Sequence, residues 1–502
     1  MASVTTRPVQ TSTLDEFRGL LRHRVLQLFT LGTLLALVGW RSFELKFPVL
    51  DLDIWWHLRV GEWIVAHRAF PHTGILSRTA ADRPWAAYSW GYELLLSRAY
   101  DWFGLVGAGV FGTLLTIAVA YAVYWMVRRI SGSFWLGCLL GAVTCSAFLF
   151  NLLPRPVFFT MILYAVTLTL LLQAQRSGRI QLLYWLPLVF LLWANLHIQF
   201  VYGLFVVGLF VAANLVQRAA APLGLRLDFL QPTSLSVPGL VAVFVVCAGA
   251  TCCGPYTYHL YLVILGYVTA TFPYTFIREF QAINFRAGSH FVELLLTGAS
   301  FFALGRDRKL SLFKVVLLVA TAIVGYRTMR DSWFICLAAA ACIADSLAKA
   351  EPERGESALE KAGLVAALAV ALMLFAGNTN FTMRGLDEAV SSEFPVKAIN
   401  FLRRNPQPGP LYNTFDWGGF LTWYMPDYPV AIDGRTDLYG DEIDTRFFKT
   451  QQGDASYVDD SYLNECHLIL LSTKVPLASA LIQDSRFHLL YQDSLAVVFV
   501  RD

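Results

Sequence analysis

From residue 51 to residue 57 the chain reads Asp-Leu-Asp-Ile-Trp-Trp-His, which places Asp51, Asp53 and His57 close together directly after an apolar stretch. Carboxylates in a partly dry setting can carry raised pKa values and act as a general base, or can hold a divalent cation with help from an imidazole. The competing reading is that Asp53 caps a helix over residues 54 to 67, with Trp55 and Trp56 in an interfacial aromatic belt. Capping does not exclude catalysis. Further along, Arg155 sits between Pro154 and Pro156, and Trp193, Asn195, His197 and Gln199 interrupt an apolar hairpin. Ionisable side chains at such depth are costly and usually face a cavity. For His197 a hydrogen-bonded structural role stands beside a ligand or proton-transfer role. The run Arg278-Glu279-Phe280-Gln281 adds a third acid to the same face. Arg327 and Arg330 share a face if the helix before them continues, and paired guanidinium donors suit phosphoryl oxygens. Lipid headgroup contact or snorkelling is the competing reading for this pair.

The elements that must position these groups are set by composition. Of 502 residues, 56% are hydrophobic and 15% charged, so a bilayer is the expected solvent. The net charge of +3 is small for that length and gives no reason to expect a polyanionic partner or nucleic acid. Seven of the eight cysteines fall in or beside apolar segments and Cys466 is alone in the tail, with no zinc or disulfide spacing. Arg7, Arg18, Arg22 and Arg24 precede an apolar stretch that lacks a small-residue cleavage site, which reads as an anchor and not a signal peptide.

A span needs roughly 20 apolar residues. Such windows lie near residues 25–43, 103–127, 134–152, 157–174, 181–196, 198–217, 236–253, 291–305, 311–326, 332–349 and 362–377, about eleven in all, with 257–273 either a twelfth or an interfacial segment. If the spans alternate, the N-terminus, Arg128/Arg129, Arg176/Arg179, Arg218/Arg226, Arg306/Arg308/Lys309 and Lys349/Arg354/Lys361 share one side, which should be cytoplasmic. The loop 44–100 and the tail then lie outside, in a bacterium the periplasmic face of the inner membrane. Residues 1–377 form the expected transmembrane domain and 378–502 a small extracytoplasmic domain. In that domain 394–404 and 475–483 read as helices, Pro410–Asn413, Val430–Ile432 and Leu468–Leu471 as strands, and Phe487–Gln492 with Ala496–Val500 as a hairpin, an α/β layer.

The acid pair in the first outer loop, the following amphipathic helix, the many spans and the outer C-terminal domain together resemble the GT-C superfamily of polytopic glycosyltransferases. Trp55, Trp56, His57, Gly61, Pro71 and Ser77 resemble a stretch in uncharacterised bacterial membrane proteins of this type, although Gly74 stands where those often carry a further acid. Phe415-Asp416-Trp417-Gly418-Gly419, followed by Asp433-Gly434-Arg435, is similar to the WWDYG region of oligosaccharyltransferase catalytic subunits, with Trp417 in place of the tyrosine. The glycines are also suited to a tight turn, and Asp433 with Arg435 to an internal ion pair.

The resemblance implies sugar transfer from a polyprenyl-phosphate or pyrophosphate carrier to an acceptor at the outer leaflet. It implies Asp53 or Asp51 as base, and Arg327, Arg330, His197, Arg155, Asp416, Trp417, Asp433 and Arg435 as substrate-binding residues. His57 and Glu279 with Asp53 become a cation site for magnesium or manganese. Membrane lipids are expected partners, with a protein or glycan acceptor. A non-catalytic scaffold or assembly subunit binding a protein is the rival reading. A transporter or flippase predicts ionisable groups at mid-bilayer and related halves, which the sequence lacks.

Overall fold

A computed structural model describes residues 13–44, 47–149, 152–220, 229–231, 234–348 and 383–501. The apolar windows become helices because Leu, Ala, Val and Phe fill them and capping residues end them. Gly132 and Gly178 close the helices Trp90–Ser131 and Val157–Ser177 in the left-handed conformation, at φ 72° and 69°. Ser133, Ser236 and Ser311 open the next ones, their hydroxyls accepting from the N–H groups of Leu136, Gly239 and Lys314.

Among the described residues, four helices are long and apolar enough to cross a membrane: Arg24–Ser42, Trp90–Ser131, Val157–Ser177 and Phe200–Ala219. Phe134–Phe148, Ile180–Leu196, Val237–Thr251 and His259–Thr269 are apolar but shorter. Further helices, Gly288–Gly305, Leu312–Arg327 and Ser332–Ser346, occupy the next three expected windows. The chain is thus a multi-pass helical membrane protein, and the described residues do not establish the expected count of eleven spans. Window 362–377 and the boundary near 378 lie outside the described residues. Trp90–Ser131 bends at Gly104, where φ is 58°, so its first part can leave the direction of the span.

Residues 383–501 carry a four-stranded sheet of order β1-β2-β4-β3, with β1 Leu411–Asn413, β2 Leu468–Ser472, β3 Phe487–Gln492 and β4 Ala496–Arg501. β1 and β2 are parallel, and β4 pairs antiparallel with both β2 and β3. The helices Val396–Arg404 and Pro476–Gln483 fall where expected. Val430–Ile432 is not a strand of this sheet. Val430 pairs instead with the loop that follows the helix Ile54–His67, accepting from Arg78 N at 2.8 Å and donating to Leu76 O at 3.1 Å. The sequence reading also misses the helix Thr436–Gln451.

This pairing helps to dock the C-terminal unit on the loop that carries the acids. Trp55 is buried and meets Phe394, Phe420 and Tyr424 edge-on at 5.8, 5.1 and 5.4 Å, so it is core and not part of an interfacial belt.

Candidate active site

Asp53 directly precedes the helix Ile54–His67, yet its side chain caps nothing. Its Oδ1 accepts from Trp56 Nε1 at 3.0 Å and its Oδ2 faces Arg155 Nη1 at 2.9 Å. Asp51 is more deeply buried. Both its oxygens take Arg155 Nε, at 3.0 and 2.9 Å, and Oδ1 also takes Nη2 at 2.6 Å. Arg155 Nη1 lies 3.5 Å from Glu279 Oε1, which also meets Arg330 Nη1 at 3.2 Å. Four segments far apart in sequence therefore meet in one chain of ion pairs, Asp51/Asp53 to Arg155 to Glu279 to Arg330.

Burial pushes the Asp53 carboxyl up from 3.8 to about 6, the Arg155 charge opposes this, and Asp51 adds to it. A carboxyl at that value is mostly ionised near neutral pH and still basic enough to take a proton. For Glu279 burial works upward, but Arg155 and Arg330 prevail and hold its carboxyl below the ordinary value.

These groups border a cavity of about 840 Å³, lined by Asp53, Trp56, His57, Arg155, His197, Glu279, Arg330, Asp416, Gly434 and Arg435 among others. Phe272, Phe276, Ile277, Phe280 and Ile283 give part of its lining an apolar character. Arg278 and Arg286 also line it, exposed and with no carboxylate partner among the described residues. They were not singled out as site residues in the sequence, since loop arginines are usually only solvated, and nothing in their spacing marks them.

Arg327 does not join Arg330. Leu312–Arg327 ends there, Thr328 is extended at φ −138° and ψ 137°, and Met329–Asp331 forms a separate short turn. Arg330 consequently lines the cavity with its guanidinium 4.8 Å over Phe280, while Arg327 stacks 5.0 Å over Tyr274. The expected shared face is lost with the helical path. In its place the turn brings Asp331, which accepts from Gln199, Tyr202 and Thr328 at 3.0, 3.0 and 2.9 Å.

His197 borders the cavity with Nδ1 2.9 Å from Thr160 Oγ1, which in turn accepts from Trp193 Nε1 at 2.7 Å. Burial keeps its ring neutral. In the C-terminal unit Asp416 is exposed to the cavity, whereas Trp417 is buried beneath it and does not line it. Asp433 and Arg435 form the internal ion pair: Nε to Oδ1 at 2.9 Å and Nη2 to Oδ2 at 2.6 Å, both side chains fully buried. Arg435 also donates to Ile75 O at 2.9 Å and lies 4.8 Å over Trp85, so the pair fastens the loop that carries Ile75 and Trp85.

Gly434 between them is required by close approach, because a Cβ there would overlap Asp53 Oδ1. Gly74, where an acid was missing, has the same cause: a Cβ would overlap Ala80 O. Asp437 was also missed. It accepts from Trp85 Nε1 at 3.0 Å and Tyr267 OH at 3.3 Å, with burial raising its carboxyl to about 6.

The residues expected to hold a divalent cation do not fit one. Arg155 Nη1 bonds both Asp53 and Glu279, and His57 Nδ1 lies 3.1 Å from Glu93 Oε1. Among the described residues no three His, Cys, Asp or Glu side chains are gathered to bind a metal ion.

This arrangement, apolar helices with an acid pair after the first of them and a C-terminal α/β unit packed on the loop that carries it, recurs as a fold among solved structures. No family model and no curated protein matches the sequence. Among solved structures, the chain is similar to the archaeal oligosaccharyltransferase AglB from Archaeoglobus fulgidus in complex with an inhibitory peptide and a dolichol-phosphate. The identity is 11%, the TM-score 0.53, and the match covers 88% of this chain and 69% of that one. The apo form of the Archaeoglobus fulgidus oligosaccharyltransferase gives 11% identity, a TM-score of 0.50 and the same coverage. ArnT from Cupriavidus metallidurans bound to undecaprenyl phosphate gives 14% identity and a TM-score of 0.44 over 93% of this chain and 97% of that one.

Proposed function

We propose that this chain is a membrane glycosyltransferase that takes a sugar from a polyprenyl-phosphate or pyrophosphate carrier and passes it to an acceptor at the outer face of the membrane. The observation that carries the reading is the meeting of Asp53 and Arg330 on the wall of one cavity within this fold. In the reaction, an acceptor hydroxyl or amide attacks the anomeric carbon of the sugar. The bond from that carbon to the phosphate oxygen breaks, the lipid phosphate leaves with the electron pair, and the acceptor proton passes to Asp53. Inversion at the anomeric carbon follows from this single displacement.

Trp56 and Arg155 each engage one oxygen of Asp53, which orients the carboxylate and leaves its further lone pairs available. Charge developing on the departing phosphate is best compensated by fixed cations in a site that excludes water. Arg330, Arg278 and Arg286 are the cations placed for this, and the flank of Phe272, Phe276 and Phe280 suits the isoprenoid chain. The dolichol-phosphate bound by the oligosaccharyltransferase of similar fold supports a carrier of that chemistry. The N-terminus is cytoplasmic and the C-terminal unit outside, in the plasma membrane, on the lysine and arginine bias.

The test is sugar transfer by the purified chain in liposomes, using labelled lipid-linked donors. Asp53→Asn should lower transfer by about 10²–10⁴-fold while leaving the protein folded, the range for loss of a general base. Undiminished transfer by the folded variant contradicts the role of Asp53. Absence of transfer from every lipid-linked donor, with a partner co-purifying in fixed ratio, turns the reading toward the scaffold.

A further inference from the structure

Two carboxylates line the cavity, Asp53 before the helix Ile54–His67 and Glu279 from the segment after Phe272–Phe276, and a third, Asp51, lies buried behind them. Buried carboxylates this close repel one another unless a cation or a retained proton compensates them. The cation present belongs to the chain. Arg155 spends all three guanidinium nitrogens on these acids: Nε on both oxygens of Asp51, Nη2 on Asp51 Oδ1 at 2.6 Å, and Nη1 on Asp53 at 2.9 Å and Glu279 at 3.5 Å.

A magnesium-sized ion would need carboxylate oxygens at about 2.0–2.1 Å around a common point. Nη1 lies within reach of the Asp53 and Glu279 oxygens that would have to converge on such a point. The arginine is also fixed in place. Pro154 and Pro156 flank it, its N–H donates to Leu153 O at 2.7 Å, and its own carbonyl accepts from Phe158 N at 3.0 Å at the start of Val157–Ser177. Its side chain is 17% exposed.

We propose that the Arg155 guanidinium stands where this acidic cluster would otherwise bind a divalent cation, so that the chain carries its own cation and binds no metal there. Arg155 is then a positioning residue. It holds Asp53 toward the cavity and links the first outer loop to the Glu279 segment, with the orientation a metal would otherwise impose. The inference concerns the same site as the proposed reaction, but its test does not need sugar transfer, so the two fail separately.

The test is a Mn²⁺ titration of the full chain in detergent, followed by the paramagnetic resonance of free Mn²⁺, with thermal melting as a check on folding. The wild type should remove no Mn²⁺ at stoichiometric concentrations. Arg155→Ala, which strips Asp51 and Asp53 of their guanidinium and leaves Glu279 only Arg330, should bind one Mn²⁺ at least about tenfold more tightly than the wild type, and adding Asp53→Asn should abolish that gain. A stoichiometric Mn²⁺ site in the wild type that is lost in Asp53→Asn overturns the proposal and needs no arginine variant. So does a folded Arg155→Ala chain that gains no Mn²⁺. Arg155→Gln, closer in volume, serves if the alanine variant does not fold.

Discussion

Asp53 is neither free nor neutralised: one oxygen takes an indole N–H, the other faces a guanidinium that Asp51 already occupies three times over. Because burial raises its carboxyl to about 6, transfer should rise with unit slope as pH climbs toward about 6 and level off above it. A rate that stays flat down to about pH 4.5 would show that Asp53 is not the proton acceptor. The same shift means the folded chain holds this proton more tightly than the unfolded one. Its contribution to stability is therefore greatest at low pH and falls as pH rises from the ordinary carboxylate value toward about 6. Asp51 and Asp53 are legible in the sequence because two acids beside an apolar span are expensive and call for a reason. The company they keep is not. Arg155 follows Asp51 by 104 residues, and Gly434, whose missing Cβ makes room for Asp53, comes later still.

At the scale of elements, the break after Arg327 decides which arginine works. Sequence spacing puts Arg327 and Arg330 on one helical face, but spacing is informative only while the helix continues, and extended Thr328 ends it. Arg330→Ala should raise the KM for the lipid-linked donor by about tenfold or more, the loss of one charge-assisted phosphate contact. Arg327→Ala should stay within about threefold of the wild type, the scale of a weak exposed cation–π contact. Equal losses in the two variants, measured in the same liposome assay, would contradict this placement. The double variant Arg278→Ala/Arg286→Ala should likewise raise KM more than it lowers kcat, since both cations approach the cavity without a carboxylate partner among the described residues. Most apolar windows are read correctly as helices because hydropathy needs only local composition. Their lengths are not, as with the 15-residue Val237–Thr251, since ends are set by caps and packing.

Over the whole molecule, the C-terminal unit is a wall of the site. It is fastened through the buried Asp433–Arg435 pair, the Arg435 bond to Ile75 O, and Val430 paired with Ser77. Removing one partner of a buried ion pair typically costs about 3–5 kcal/mol, so Arg435→Ala should lower the melting temperature clearly and reduce transfer with it. An unchanged melting temperature would mean that the pair does not fasten the two parts. The sequence suggests this ion pair, from an acid and an arginine two residues apart, but not that it reaches across to a loop some 360 positions earlier. Such contacts leave no periodicity to read.

The central claim is that a lipid phosphate sits in the cavity where Asp53 and Arg330 meet. The most direct measurement is an electron cryo-microscopy map of the full chain in nanodiscs with saturating polyprenyl phosphate. The account predicts phosphate density within about 3 Å of the Arg330 guanidinium, with Arg278 or Arg286 on its other side and the isoprenoid chain along the phenylalanine flank. Phosphate density bound elsewhere on the protein, or a cavity that stays empty at saturation, would contradict it.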